Sequence, residues 1–128
     1  ATSGGDSRQV CRQLKDVKEI QANESAFAAI LTDGSVLSWG SRLSGDCSQV
    51  QGLLSNVQQV QSTREAFAAI RSDGSVITWG NATSGGNPSL YVQRQLKDVW
   101  QIQANDWAFA AIRADGSVIT WGHDGNGG

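Results

Sequence analysis

The sequence predicts an all-β protein of three repeated antiparallel sheets, and three observations lead there. One phrase is written three times: Ala26-Phe27-Ala28-Ala29-Ile30, then Asp33-Gly34-Ser35-Val36-Leu37-Ser38-Trp39-Gly40, returning as Ala66–Gly80 and Ala108–Gly122. The copies begin at Ala26, Ala66 and Ala108, offsets of 40 and 42 residues. Such a period marks stacked supersecondary units, none of which can bury its apolar face alone. Within each copy an Asp-Gly pair separates two short apolar runs, the pattern of a β-hairpin. Finally, 15 glycines and one proline in 128 residues suit short strands joined by tight turns.

Each unit opens with a stretch such as Leu14–Ala22, matched from Leu54 and from Leu96. Its apolar residues Val17 and Ile20, then Val57 and Val60, then Val99 and Ile102, stand three apart. Clean alternation would space them by two, so a bulge or bend is expected at the strand's start. The connection through Asn23, Thr63 and Asn105 predicts a tight left-handed corner, which β-branched Thr63 suits poorly.

The run Ala26–Ile30 is apolar on both faces, as in a strand covered on both sides. Its small alanines place it innermost, with Phe27, Phe67 and Phe109 as the large fillers. Asp33-Gly34, Asp73-Gly74 and Asp115-Gly116 then predict two-residue hairpin turns. The return strand alternates, with Leu37 and Trp39 on one side and Val36 and Ser38 on the other; Ile77/Trp79 and Ile119/Trp121 keep that pattern. Gly40, Gly80 and Gly122 end the strand where a side chain would obstruct the exit. The Gly/Ser-rich passages that follow carry Val10, Val50 and Val92, which mark a fourth, outer strand.

The ends share one repeat position: Ala1-Thr2-Ser3-Gly4-Gly5 matches Ala82–Gly86, and Gly127-Gly128 falls where Gly85-Gly86 does. A single domain over 1–128 is expected, with repeats at about 5–45, 46–86 and 87–128. Two architectures fit. Three sheets close around a pseudo-threefold axis as a prism-like body, or they are blades of a larger propeller. Open arrays need polar end caps and none is written here, which favours closure or self-association. With no initiator Met and no signal peptide, the sequence reads as a processed chain or a piece of a longer one.

The unit resembles the repeat of the regulator-of-chromosome-condensation family. The matching phrase runs from Val17 and Ile20 through Ala29-Ile30 and Asp33-Gly34-Ser35 to Trp39-Gly40, and recurs in all three units. The wording Ala-Phe-Ala-Ala-Ile with Trp-Gly also resembles repeats expanded in dinoflagellate algal proteins. The resemblance implies a β-propeller, usually of seven blades, that serves as a docking platform. Members include a nucleotide exchanger for a small GTPase, modules of ubiquitin ligases and a bacterial inhibitor of β-lactamase. Ala26, Ala66 and Ala108 stand where the family often has His, and the loop after Trp-Gly is shortened. No residue carries over as the exchange-factor surface.

Most other chemistry is excluded by what the chain lacks. A net charge of −2 without a basic patch argues against nucleic acid or anionic lipid as a partner. No run approaches the roughly 20 apolar residues of a membrane-spanning helix. Cys11 and Cys47 read as two unpaired thiols, a bridge between adjacent units being the alternative. Asn23-Glu24-Ser25 and Asn81-Ala82-Thr83 are sequons of a kind that chance often supplies. A catalytic base needs a third group to hold it, and no repeated feature points toward His123, the one histidine, which reads as a solvated loop side chain. Asp33, Asp73 and Asp115 are accounted for by turns rather than paired-carboxylate catalysis.

Asp124-Gly125-Asn126-Gly127 lacks the downstream Glu of a calcium loop, and Ser84-Gly85-Gly86 lacks the Lys-Ser/Thr ending of a phosphate loop. No catalytic, cofactor-binding or metal residue is assigned, and no enzyme is expected.

The functional signal lies where the copies disagree. Trp100 replaces Lys18 and Gln58, Trp107 replaces Ser25 and Glu65, Leu90 replaces Arg8 and Ser48, and Tyr91 replaces Gln9 and Gln49. If solvent-facing, these four give the third unit an apolar patch, and exposed aromatics anchor interfaces. The expected function is a protein-interaction scaffold, an accessory subunit that binds another protein or another copy of itself. The competing account buries the four residues within the domain. A lectin-like carbohydrate-binding domain is the alternative function, weakened because the repeated Trp39, Trp79 and Trp121 look buried. A hydrolase on this frame is remote.

Overall fold

Three sheets succeed one another in the computed structural model, whose described residues are 16–40, 51–81 and 85–123. The first unit comprises β1 (Val17–Ala22), β2 (Ala26–Leu31) and β3 (Val36–Gly40). The second comprises β4 (Val57–Ser62), β5 (Ala66–Arg71) and β6 (Val76–Gly80), and the third β7 (Val99–Ala104), β8 (Ala108–Arg113) and β9 (Val118–Gly122). Every sheet is antiparallel and ordered as in the sequence, with registers that repeat residue for residue. A 3-10 turn (Gln51–Leu53) precedes β4, and the helix α1 (Leu90–Gln95) precedes β7.

The expected bulge is present in each unit. Register shifts fall between Val17 and Glu19, Val57 and Gln59, and Val99 and Gln101. Lys18, Gln58 and Trp100 are therefore the extra residues, each turned out of the ladder where its strand begins.

Other local expectations are corrected. The left-handed residues are Asp16 (φ 56°), Asn56 (φ 55°) and Asp98 (φ 56°), just ahead of the first strands, rather than the corner residues Asn23, Thr63 and Asn105. Two of those corners are built by the side chain instead. Asn23 Oδ1 accepts from the N–H groups of Ser25 and Ala26, both at 3.0 Å. Asn105 Oδ1 does the same for Trp107 and Ala108, both at 2.8 Å. No positive φ is demanded of Thr63, which removes the objection to a β-branched residue there.

The Asp-Gly turns hold one residue more than a two-residue hairpin. Gly34 N–H donates to Leu31 C=O at 2.9 Å, and only Gly34 has positive φ (86°). That is a type I turn closed by a left-handed glycine, the G1-bulge form. The aspartate locks it: Asp33 Oδ1 accepts from Ser35 N–H at 2.9 Å and from Ser35 Oγ at 2.6 Å. Asp73 with Ser75 and Asp115 with Ser117 repeat the arrangement.

The passage before β7 forms a helix where a fourth strand was expected. Leu90–Gln95 has no period-2 pattern, and Ser89 caps the helix by accepting Val92 N–H at 3.3 Å. Val10 and Val50, like Cys11 and Cys47, lie outside the described residues.

The Ala-rich strand is the central strand of each sheet, while the innermost place belongs to β1, β4 and β7. These first strands approach one another, β1 against β4 and β4 against β7, as the sheets fan outward. Each unit has a trailing face toward the next and a leading face toward the one before. Ala26, Ala28, Ile30 and Val36 trail, and meet Leu54, Val57, Val60, Phe67, Ala69 and Trp79 on the leading face of the second unit. The next joint repeats this with Ala66, Ala68 and Ile70 against Leu96, Val99, Ile102, Phe109, Ala111 and Trp121. Phe27, Phe67 and Phe109 stack on Trp39, Trp79 and Trp121 at centroid distances of 5.5, 5.3 and 5.2 Å.

One pH effect follows from the turns. The hydroxyls of Ser35, Ser75 and Ser117, then their N–H groups, hold the Asp33, Asp73 and Asp115 carboxyls below the ordinary value of 3.8. A carboxylate whose native pKa is lowered stabilises the fold fully above its unfolded pKa and loses that contribution as pH falls through the native one. Replacing all three serines with Ala should therefore lower the urea midpoint near neutral pH. The difference from wild type should narrow once the pH drops below the unfolded pKa. A gap that widens on acidification would contradict this assignment.

Candidate functional site

Trp100 owes its position to the bulge. Val99 and Ile102 turn into the joint with the second unit, where they are buried, and the extra residue between them must point away. Trp100 is 62% exposed and forms one wall of a shallow depression of about 330 Å³, completed by Glu19, Gln58, Gln59 and Ile70. Residues of all three units thus meet at one place. Apart from Trp100 and Ile70 the lining is polar, with two amides that both donate and accept hydrogen bonds and one carboxylate.

Leu90 and Tyr91 are also exposed, at 68% and 76%. They lie on α1, which packs against β9, so they flank the outer edge of the third sheet. Trp100 stands on β7, the opposite edge, with β8 between. Leu90, Tyr91 and Trp100, three of the four singled-out residues, therefore form two exposed regions on one unit rather than a single patch.

Trp107 belongs to neither. It is half-buried beneath the Arg64 guanidinium, whose carbon lies 5.0 Å from the ring centroid, and is flanked by His123 at 5.8 Å. Arg64 also grips Glu24 in a fork, Nε to Oε2 at 2.6 Å and Nη2 to Oε1 at 2.8 Å. That bond raises the Arg64 pKa and holds the Glu24 carboxyl below its usual range. Glu24, Arg64 and Trp107 come from three successive units, so the row ties the corners together. Backbone bonds run beneath it, from Glu24 N–H to Arg64 C=O (3.3 Å) and from Arg64 N–H to Asp106 C=O (2.9 Å). Sequence reasoning missed this row, although its signal was available: Glu24, Arg64 and Asp106 share one repeat slot with charges that alternate.

The repeated tryptophans of the second and third units are spoken for. Trp79 and Trp121 are buried, with indole N–H groups donating to Ser38 Oγ (3.2 Å) and Gly85 C=O (3.0 Å). Among the described residues no group of three or more His, Cys, Asp or Glu side chains is placed to hold a metal ion. No helix of the described residues is long and apolar enough to cross a membrane.

No family model and no curated protein matches the chain. Solved structures do. Prp20p from Saccharomyces cerevisiae, described with its binding to Gsp1p and histones, is similar with a TM-score of 0.63 at 18% identity, over 83% of this chain and 30% of Prp20p. Yeast RCC1 (Prp20) bound to Kap60 is similar with a TM-score of 0.64 at 17% identity, over 83% of this chain and 29% of that one. Human WBSCR16 is similar with a TM-score of 0.57 at 20% identity, over 83% and 33%. These neighbours are RCC1-repeat β-propeller proteins, and the three sheets of this chain are propeller-type blades. The likeness is one of fold, and the chain spans a third or less of each neighbour's length.

Proposed function

We propose that this chain is a non-catalytic protein-docking module, an accessory piece of a larger assembly. Its third blade receives a partner protein. The observation that carries this reading is Trp100, a large aromatic on a bulge, exposed at the rim of a depression to which three blades contribute. An aromatic anchor beside adaptable amides suits an extended segment of a partner, whose backbone would pair with Gln58 and Gln59 while an apolar side chain packs on the indole. Leu90 and Tyr91 offer a second contact at the outer edge. The structural neighbours support a protein partner, since Prp20p is described with Gsp1p, histones and Kap60.

The test substitutes Trp100→Ser. A side chain expelled from the joint into solvent should, when truncated, leave the unfolding free energy within about 0.5 kcal/mol of wild type. Partner binding should weaken by about 2 kcal/mol or more, as at an interface hot spot. A photo-crosslinking phenylalanine at position 100 should also join the chain to a discrete protein in extract, and one on the far face of the same blade should not. A folded Trp100→Ser chain that retains its partners would overturn the reading, as would loss of folding, which would make Trp100 a packing residue.

A further inference from the structure

The two outer faces of the described fan repeat the residues of its internal joints. On leading faces, Val60 and Ile102 are fully buried by the preceding blade, whereas their counterpart Ile20 is 52% exposed. On trailing faces, Val36 is 0% exposed under the following blade, whereas Val118 is 56% exposed. The apolar residues that make both internal joints thus recur at both ends, where no described blade covers them. A depression of about 240 Å³ lies beside the last trailing face, lined by Ala104, Ala108, Phe109 and Ala110 among others. The matching Ala26 and Ala28 of the first blade are buried beneath the second.

Backbone groups repeat the pattern with the correct polarity. In the first joint Val57 N–H donates to Gly34 C=O at 2.8 Å, and in the second Val99 N–H donates to Gly74 C=O at 2.9 Å. Close approach goes with these bonds. A Cβ on Gly34 would meet Asn56 Cα at 3.0 Å and one on Gly74 would meet Asp98 Cα at 3.0 Å, while one on Gly116 would meet nothing within 4 Å. At the corners Glu24 N–H donates to Arg64 C=O and Arg64 N–H to Asp106 C=O. Among the described residues, Gly116 C=O and Asp106 N–H at the trailing end have no such cross-blade partner, nor do Val17 N–H and Glu24 C=O at the leading end. Each end offers the donor or acceptor that the other lacks.

We infer that the trailing face of one copy docks on the leading face of a second copy, head to tail. The new joint reproduces the internal ones: Ile20 and Val17 cover Ala110, Ile112 and Val118, Val17 N–H bonds to Gly116 C=O, and Asp106 N–H bonds to Glu24 C=O. Such a contact is heterologous, so the second copy again presents one open face of each kind until a ring closes. This joint is separate from the Trp100 surface and does not depend on it.

The test is the mass in solution of the whole chain, by sedimentation across a concentration series. Wild type should exceed the mass of one chain. Ile20→Lys and Val118→Lys should each be monomeric, because each buries an ammonium in the only joint it can form with itself. Mixed, the two should form a one-to-one pair and nothing larger, since the intact trailing face of the first meets the intact leading face of the second. Both sites are exposed in the single chain, so circular dichroism should not change; Ile20→Ser and Val118→Ser repeat the experiment if a lysine variant fails to fold. A monomeric wild type overturns the inference and assigns the ends to further blades or to another protein. Disruption by only one substitution, or a mixture that stays monomeric, overturns head-to-tail docking.

Discussion

Phe67→Ala is expected to lower the unfolding free energy by about 3–5 kcal/mol, the range for truncating a fully buried aromatic. Phe67 is 0% exposed, stacks on Trp79, and lies in the cluster that joins the first blade to the second. Its loss removes filler from within a sheet and from between two sheets at once. Phe27→Ala, the same change in the same repeat slot, should cost clearly less, because Phe27 is only half-buried on a leading face that none of the described blades covers. Urea unfolding followed by tryptophan fluorescence would read both. Equal costs would mean that the stacked Phe–Trp pair, rather than the joint, supplies the stabilisation. A domain of ordinary stability, about 5–15 kcal/mol, would be left marginal by the Phe67 change.

Gly80→Ala is expected to cost about 2–5 kcal/mol, combining a left-handed backbone penalty with overpacking. Gly80 sits at φ 110°, and a Cβ there would lie 2.6 Å from both Ala66 Cα and Glu65 O. Those are backbone atoms of the neighbouring strand and have no rotamer by which to yield. Gly40 and Gly122 meet the same obstruction from Ser25 O and Trp107 O, which is why the motif ends in Trp-Gly in every unit. Gly52→Ala is the control, since its Cβ would enter open space. Thermal unfolding should separate the two by many degrees, and similar midpoints would refute the steric account.

Much of this was legible in the residues. The spacing of Val17 and Ile20 foretold the bulge, and the alternation through Leu37 and Trp39 foretold which side chains share a face of the return strand. Both are local consequences of strand geometry, where side chains alternate with a period of two. Turn chemistry was only half legible. Asp33-Gly34 marked a hairpin, but Ser35, which ties Asp33 down, decided for the longer G1 form over the two-residue turn. At Asn23 the residue type pointed to a left-handed backbone, whereas its side chain made the corner and left the positive φ to Asp16. Local propensity cannot distinguish these outcomes, because either one satisfies the same backbone groups.

The candidate site divides along the same line. That the third unit differs at Leu90, Tyr91, Trp100 and Trp107 is written in the sequence alone, because repeats in register make every departure visible. Which departures are exposed was a matter for the tertiary structure. Trp100 reaches solvent because the bulge expels it, while Trp107 is claimed by Arg64 from another blade.

From the sequence by itself came the unit: its three strands, where its hairpin turns, its two apolar faces and the threefold repetition. Only the packing of unit on unit decided which strand lies innermost, which aromatics are covered, and that Ile20 and Val118 remain bare. Strand period and turn preference act over a few residues, whereas burial depends on what stands against a face. Three units written alike differ in the end by whether a neighbour stands on each side.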